Sequence, residues 1–164
     1  MLWFALQVKR QLEKLAAAAL RNQGYEEFLP LYKCRRQWSD RTKLIDYPLF
    51  PGYLFCRLDP QNRLPVLTTA GVIQIVGIGR TPVPVEDVEI AAVQAIVASR
   101  LPIQPWPFLR AGQQVLMQAG PLRGLEGIFV CHKSQYRLVV SVALLQRSVA
   151  VEVDCDWVVP LKIN

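Results

Sequence analysis

The chain opens with an apolar, β-prone run, Trp3 to Val8, that passes directly into KRQLEKLAAAALRNQG. Leu12, Leu15, Ala16, Ala19 and Leu20 recur there at helical spacing, and Gly24 stands where a left-handed residue caps a helix, so a strand followed by a helix is predicted. YEEFLPLYK reads as a strand. Beyond the polar turn RQWSDRTK a second strand includes DYPLFPGYLFCRLD, and the two form an antiparallel hairpin with Ser39 and Asp40 near its tip. Pro48 and Pro51 fall where ladder hydrogen bonds should form, which marks that stretch as an edge, a bulge or a turn into a strand. Residues 60–70 are predicted as a short helix, VIQIVGIG as a buried strand, and TPVPVEDVEIAAVQAIVAS as a helix from about Glu86. Glu86 and Asp87 occupy its first turn, where negative charge suits the helix dipole. The order is βαββαβα, and the economical arrangement is an α+β fold with helices on one face of a mainly antiparallel sheet.

The pattern then changes. RLPIQPWPFLR, residues 100–110, holds three prolines and cannot continue the helix, so it reads as a semi-rigid linker. After it come QVLM, GIFVCH, YRLVVSV and SVAVEV, short β-rich runs broken by glycine-rich or polar turns. Val149, Val151 and Val153 alternate with Ala150 and Glu152 as a half-buried strand does. About five short strands are predicted to form a small β-barrel. Their β-branched residues lose rotamer freedom in a helix, which favours strands over any helical alternative. The expected domains are 1–99, a proline-rich linker 100–110 and a barrel at 111–164.

Composition narrows the function classes. With 52% hydrophobic and 20% charged residues in a chain of 164, the signature is globular rather than disordered. Nineteen Lys and Arg against 13 Asp and Glu give a net charge of +6, a lean toward polyanions such as nucleic acid. Cys34, Cys56, Cys131 and Cys155 lie more than twenty residues apart with no CxxC pair, so they read as buried or half-buried small hydrophobes in a reducing compartment rather than zinc ligands. The start has its charge after the short apolar run and no cleavage site, unlike a signal peptide. No apolar run approaches the roughly 18 residues of a bilayer span, so no membrane partner is expected and the cytoplasm is the predicted location.

No catalytic constellation can be drawn. His132 is the only histidine, the adjacent acids Glu26–Glu27 and Glu86–Asp87 diverge on strand or helix, and no Walker loop or GxGxxG stretch occurs. No catalytic residue, metal ligand or cofactor is therefore predicted. The binding signals are stronger. KCRRQWSDRTK sets five basic residues and Trp38 against one acid. Its Arg35, Arg36, Arg41 and Lys43 suit phosphates, and an indole suits stacking on an unpaired base, with Lys9 and Arg10 extending the patch if the fold brings them near. In LFPGYLF the strand period puts Tyr53 and Phe55 on one face and Leu54 and Cys56 on the other. Either both faces are covered, or one is an exposed apolar patch that docks a partner. In AGQQVLMQAGPLRGLEGIFV, Gly112, Val115, Gly120, Pro121, Gly124 and Gly127 set a strand, a tight turn and a returning strand.

Three of these stretches, WFALQVKRQLEKLAAAAL, PLFPGYLF and the final glycine-spaced run, resemble in order the landmarks of the NusG family of transcription elongation factors, the third being its KOW motif. The likeness covers nearly the whole chain, and PLFPGYLF and TTAGVIQIVGIG look closer to the specialised antiterminators such as RfaH than to general NusG. The resemblance implies an N-terminal domain that docks on the clamp of RNA polymerase and favours the pause-resistant enzyme, and an SH3-like KOW barrel that binds a small-subunit ribosomal protein or the termination factor Rho. It implies a monomer. Phe50, Pro51, Tyr53 and Phe55 match the polymerase-docking face, read as an aromatic face held outward. Lys9, Arg10, Arg36 and Arg41 lie where specialised members contact the non-template DNA strand. NRLPVLTTAGV stands where RfaH carries a His-Thr-Thr element. The KOW run alone also fits a ribosome-associated or RNA-binding KOW protein with no polymerase contact.

Overall fold

The computed structural model describes residues 1–38 and 41–161, with residues 36 and 38 described by their backbone alone. The expected hairpin tip at Ser39 and Asp40 lies outside the described residues. The chain divides into two compact units, Met1–Asp87 and Val88–Asn164.

In the first unit β1 (Leu2–Val8) is followed by α1 (Glu13–Asn22), then β2 (Glu26–Phe28), β3 (Leu31–Trp38), β4 (Arg41–Pro48) and β5 (Tyr53–Leu58). The two strands expected around the hairpin are thus four. The chain breaks at Leu29–Pro30 and again over 49–52, where proline cannot supply ladder donors. A 3₁₀ turn at Pro60–Asn62, the short α2 (Leu64–Leu67), and strands β6 (Val72–Ile75), β7 (Gly77–Ile78) and β8 (Thr81–Pro82) complete the unit.

Four strands form one sheet in the order β2-β5-β1-β6, while β3 pairs with β4 separately. The antiparallel register sets Phe4 opposite Cys56 and Leu6 opposite Leu54. That puts Phe4, Leu6, Val8, Leu54, Cys56 and Leu58 in one buried cluster with Ala16, Ala17 and Leu20 of α1 and Val66 of α2. The helix face differs from the expected one. Leu15 is 55% exposed, and the buried positions of α1 are Glu13, Ala16, Ala17 and Leu20. The small alanines let the helix approach the sheet, and the position that turns inward at its start is a carboxylate rather than a leucine. Gly24 follows the helix at φ +92° as the expected cap. The expected buried strand VIQIVGIG is instead the sheet's edge strand β6 and the separate β7, with Ile73 exposed.

The second unit contains α3 (Asp87–Ala98, whose first residue closes the first unit), β9 (Ile103–Trp106), β10 (Gln113–Met117), β11 (Glu126–His132), β12 (Gln135–Val142), β13 (Arg147–Glu152) and β14 (Val158–Pro160). All six strands join one antiparallel sheet in the order β14-β10-β11-β12-β13-β9. Residues 103–106, inside the proline-rich stretch, are a strand on β13, with Pro105 opposite Val149. Ser141 Oγ donates to Leu109 O at 3.0 Å, and Leu109 N donates to Ser148 Oγ at 3.1 Å, so the chain beyond β9 is fastened as well. The β-branched runs are strands, as their composition requires, although Ala150 is buried beside Val149 and Val151 rather than facing water.

Candidate functional site

The segment PLFPGYLF folds as a tight turn into β5. Tyr53 N donates to Phe50 O at 3.0 Å, with Pro51 second and Gly52 third in the turn. Gly52 has φ +85°, a conformation glycine adopts without steric penalty. Its carbonyl accepts from Val8 N at 2.8 Å. Its N–H donates to Glu13 Oε2 at 3.0 Å, and Glu13 is only 5% exposed. The carboxylate at the start of α1 therefore pins the turn that introduces β5.

The aromatic face held outward does not form. Phe50 is 2% exposed and Phe55 0%. Phe55 stands opposite Phe28 and Ala5 in the ladder, stacks on Phe28 at 6.1 Å between ring centroids, and meets Phe50 edge-to-face at 5.6 Å. The Phe28 ring from β2 and the Phe50 ring from the turn close over Phe55, so its face does not stay open. Pro51 and Tyr53 are half-buried, and are the members of the four that retain surface. Cys56, on the opposite strand face, is fully buried. Burial pushes its thiol from the usual 9.0 up to about 12, and the Glu27 carboxylate adds to the shift.

The basic residues fall on different faces of the β3–β4 hairpin. The register pairs Arg36 with Lys43, Trp38 with Arg41 and Cys34 with Ile45, while Arg35 pairs with Leu44 and Lys33 with Asp46. By strand alternation Arg41, Lys43, Ile45 and Tyr47 share one face of β4, and Arg35 belongs to the other. Lys9, Arg10, Arg35, Arg41 and Lys43 are exposed. Two cavities lie along this strand. One, of about 550 Å³, is lined among the described residues by Arg41, Thr42, Lys43 and Ile45. The other, of about 430 Å³, takes Ile45 to Pro48 as one wall, and Arg10, Gln11, Glu13 and Lys14 with Pro51 as the other. The fold thus brings Arg10 to the hairpin; Lys9 lines neither cavity. Lys14 and Tyr47, absent from the residues expected from sequence, line the second. The signal for Lys14 was its position in the first turn of a helix whose neighbour Glu13 is buried, a pattern unreadable until the strand it faces is known.

In the second unit Val115 is buried and pairs with Gly127 across the β10–β11 hairpin. The connecting turn carries Gly120, Pro121 and Gly124. At Gly120 a Cβ would lie 2.8 Å from the Trp157 ring, so the indole needs a glycine there. Gly112 precedes β10, and a Cβ on it would come within 2.7 Å of Ile128 Cγ2. The exposed His132 meets Trp106 edge-to-face at 6.3 Å. The expectation that all four cysteines are buried or half-buried is corrected for two of them: Cys131, at the end of β11, and Cys155, in the 3₁₀ turn between β13 and β14, are exposed, because nothing is layered over a strand end or a surface turn there.

These features define a two-unit chain: an α+β unit carrying a pinned apolar turn and a basic hairpin, then a unit of one helix and a six-stranded sheet with a glycine-spaced hairpin. The family model described as "Transcription termination factor nusG" matches residues 1–94. The transcription termination/antitermination protein NusG of Thermus thermophilus is 26% identical, over 92% of this chain and 89% of that protein. Its counterpart in Helicobacter pylori strain J99 is 23% identical, over 92% of this chain and 93% of that one. A structure of Thermotoga maritima NusG, solved in a study of its domain interaction, is similar in fold, with a TM-score of 0.58 at 18% identity over 98% of this chain and 97% of that one. The chain belongs to the NusG family. That family consists of transcription factors and not enzymes, and no helix among the described residues is long and apolar enough to cross a membrane.

Proposed function

We propose that this chain is a transcription elongation and antitermination factor that docks on the RNA polymerase clamp and suppresses pausing or termination at particular operons. The family match carries the reading, and the turn at 49–53 supplies its contact surface. Docking is centred on Pro51 and Tyr53. Phe50 and Phe55 act from beneath, holding the turn in place through their ring contacts. No bond chemistry is required, since a ligand that prefers one clamp state stabilises that state by its differential affinity. The basic face of the hairpin meets the non-template DNA strand. Residues 111–164, within the second unit, are the KOW domain, their strands closing as a barrel that binds a small-subunit ribosomal protein or Rho. The protein works as a monomer in the cytoplasm.

The test is retention on immobilised core RNA polymerase. Tyr53→Ala removes a surface anchor, and loss of such an anchor from a docking centre costs about 2 kcal/mol, roughly a thirtyfold weakening. Phe55→Ala is unsuitable for this purpose because its first effect is on folding. If Tyr53→Ala, shown folded by its thermal melt, binds polymerase as tightly as the parent protein, the docking assignment is wrong.

A further inference from the structure

We infer that the tip of the β11–β12 hairpin holds a site for a terminal phosphate group, built on the buried guanidinium of Arg137. The site goes beyond the docking and elongation activity proposed above and does not depend on it. Arg137 is 8% exposed, yet no carboxylate among the described residues forms an ion pair with it. Its Nε–H has no acceptor among those residues. A buried cation in that state is costly, and what offsets the cost is a counter-charge together with hydrogen bonds to the remaining donors.

The neighbours supply part of this. The guanidinium carbon lies 5.1 Å from the centre of the Trp106 ring, which stabilises the charge through the flat face of the group. The five N–H donors of an arginine point outward in the guanidinium plane, so that contact satisfies none of them. Nη1 donates to His132 O at 3.5 Å, the outer limit of a hydrogen bond, and Nη2 donates to Gln135 Oε1 at 2.7 Å. Nε and Nη2 are the side-on fork that grips two oxygens of one oxyanion. A neutral amide oxygen thus occupies one tine, and the other is unmet. Gln135 is exposed, so its carboxamide can swing off and yield the edge.

Position and charge select a phosphate. His132 pairs with Gln135 and Val130 with Arg137, so His132, Gln135 and Arg137 share one face. Lys133 and Ser134 between them have φ +50° and +64°; the chain reverses at once and an exposed lysine stands at the same end of the hairpin as the fork. The run VCHKSQYRL contains no acid. Glu152, opposite Arg137 on β13, is half-buried and is not ion-paired with it. A carboxylate would use the fork alone, whereas a phosphate dianion fills it with two oxygens and offers a third, with its second charge, to Lys133.

The experiment follows the Arg137 Nε–H signal of the full chain by NMR during titration with inorganic phosphate, and separately with uridine monophosphate, against sodium chloride of equal ionic strength. Phosphate shifts the signal saturably in the parent protein. Lys133→Gln, a change at an exposed turn, weakens binding about threefold, the measure of an exposed charge contact. Glu152→Gln tightens it by removing the nearby acid of β13. Gln135→Glu supplies the carboxylate from within the chain, so it raises the melting temperature and abolishes the phosphate response. The site is overturned if the parent signal does not saturate, or if sodium chloride alone moves it equally. It is also overturned if Lys133→Gln binds like the parent, if Glu152→Gln weakens binding, or if Gln135→Glu still binds phosphate or melts lower. Uridine monophosphate binding as tightly as inorganic phosphate, or more so, names a phosphate ester as the source; weaker binding names the free ion, and both results keep the site.

Discussion

Strands β4 and β5 are separated by one four-residue turn, yet they have opposite fates. Both carry aromatic and apolar residues, but β4 is exposed over most of its length, with Leu44 58% exposed, whereas Leu54, Phe55 and Cys56 of β5 are fully buried. The difference lies in their neighbours. β4 pairs with β3 alone, while β5 has β1 on one side and β2 on the other and receives α1 on one face. A two-stranded ribbon cannot cover its own side chains, whereas an inner strand of a helix-backed sheet has most of its own covered, Tyr53 and Arg57 being the half-buried residues of β5. Apolar character thus becomes core in β5 and surface in β4, and the surface strand is the one that carries the cations.

Substitutions on the two strands break or sharpen that contrast. Leu54→Ala leaves a cavity against Phe4, Leu6 and Leu20 and should lower unfolding free energy by about 2–5 kcal/mol in a urea titration; a loss below 1 kcal/mol would place β5 outside the core. Glu13→Ala strips the Gly52 N–H of its buried acceptor, an expected cost of about 1–3 kcal/mol by the same titration, and Glu13→Gln, which keeps an acceptor oxygen, should lose less. Equal losses in the two variants would show that the pin is not a hydrogen bond.

The buried thiol gives a pH signature. With Cys56 at about 12 in the fold and 9.0 as the ordinary value, the unfolded chain releases its proton first as pH rises. The stabilisation is therefore complete below pH 9 and is lost between 9 and about 12, at up to about 1.4 kcal/mol per pH unit. A thiol reagent near neutral pH should label Cys131 and Cys155 in the native protein and reach Cys56 only on unfolding. The smallest effect belongs to the β3–β4 ribbon. Lys33→Gln breaks an exposed ion pair with Asp46 and should shift stability by less than about 1 kcal/mol.

Much of the fold was legible where local chemistry decides it. The runs of the second half are strands because β-branched residues and glycine turns leave little choice, and Gly24 ends α1 for the same local reason. The breaks at Pro30 and over Leu49–Gly52 were marked by proline, although the strands on either side were read as continuous. Burial was less legible because it depends on distant partners. Phe55 is covered through Phe28 and Ala5, and Leu15 gives way to Glu13 because the Gly52 N–H needs an acceptor. The basic hairpin was visible as a cluster, but its sidedness was not. Lys14 and Tyr47 are more than thirty residues apart, and only the folded chain sets them on facing walls of one cleft.

The most direct test of the account is the lifetime of a paused RNA polymerase elongation complex, followed in single-round transcription with and without the protein. The account predicts shorter pauses with the parent protein and parent-free lifetimes with Tyr53→Ala, whose thermal melt remains intact. Unchanged pausing with the parent protein on every template tried, or full activity of Tyr53→Ala, would contradict it.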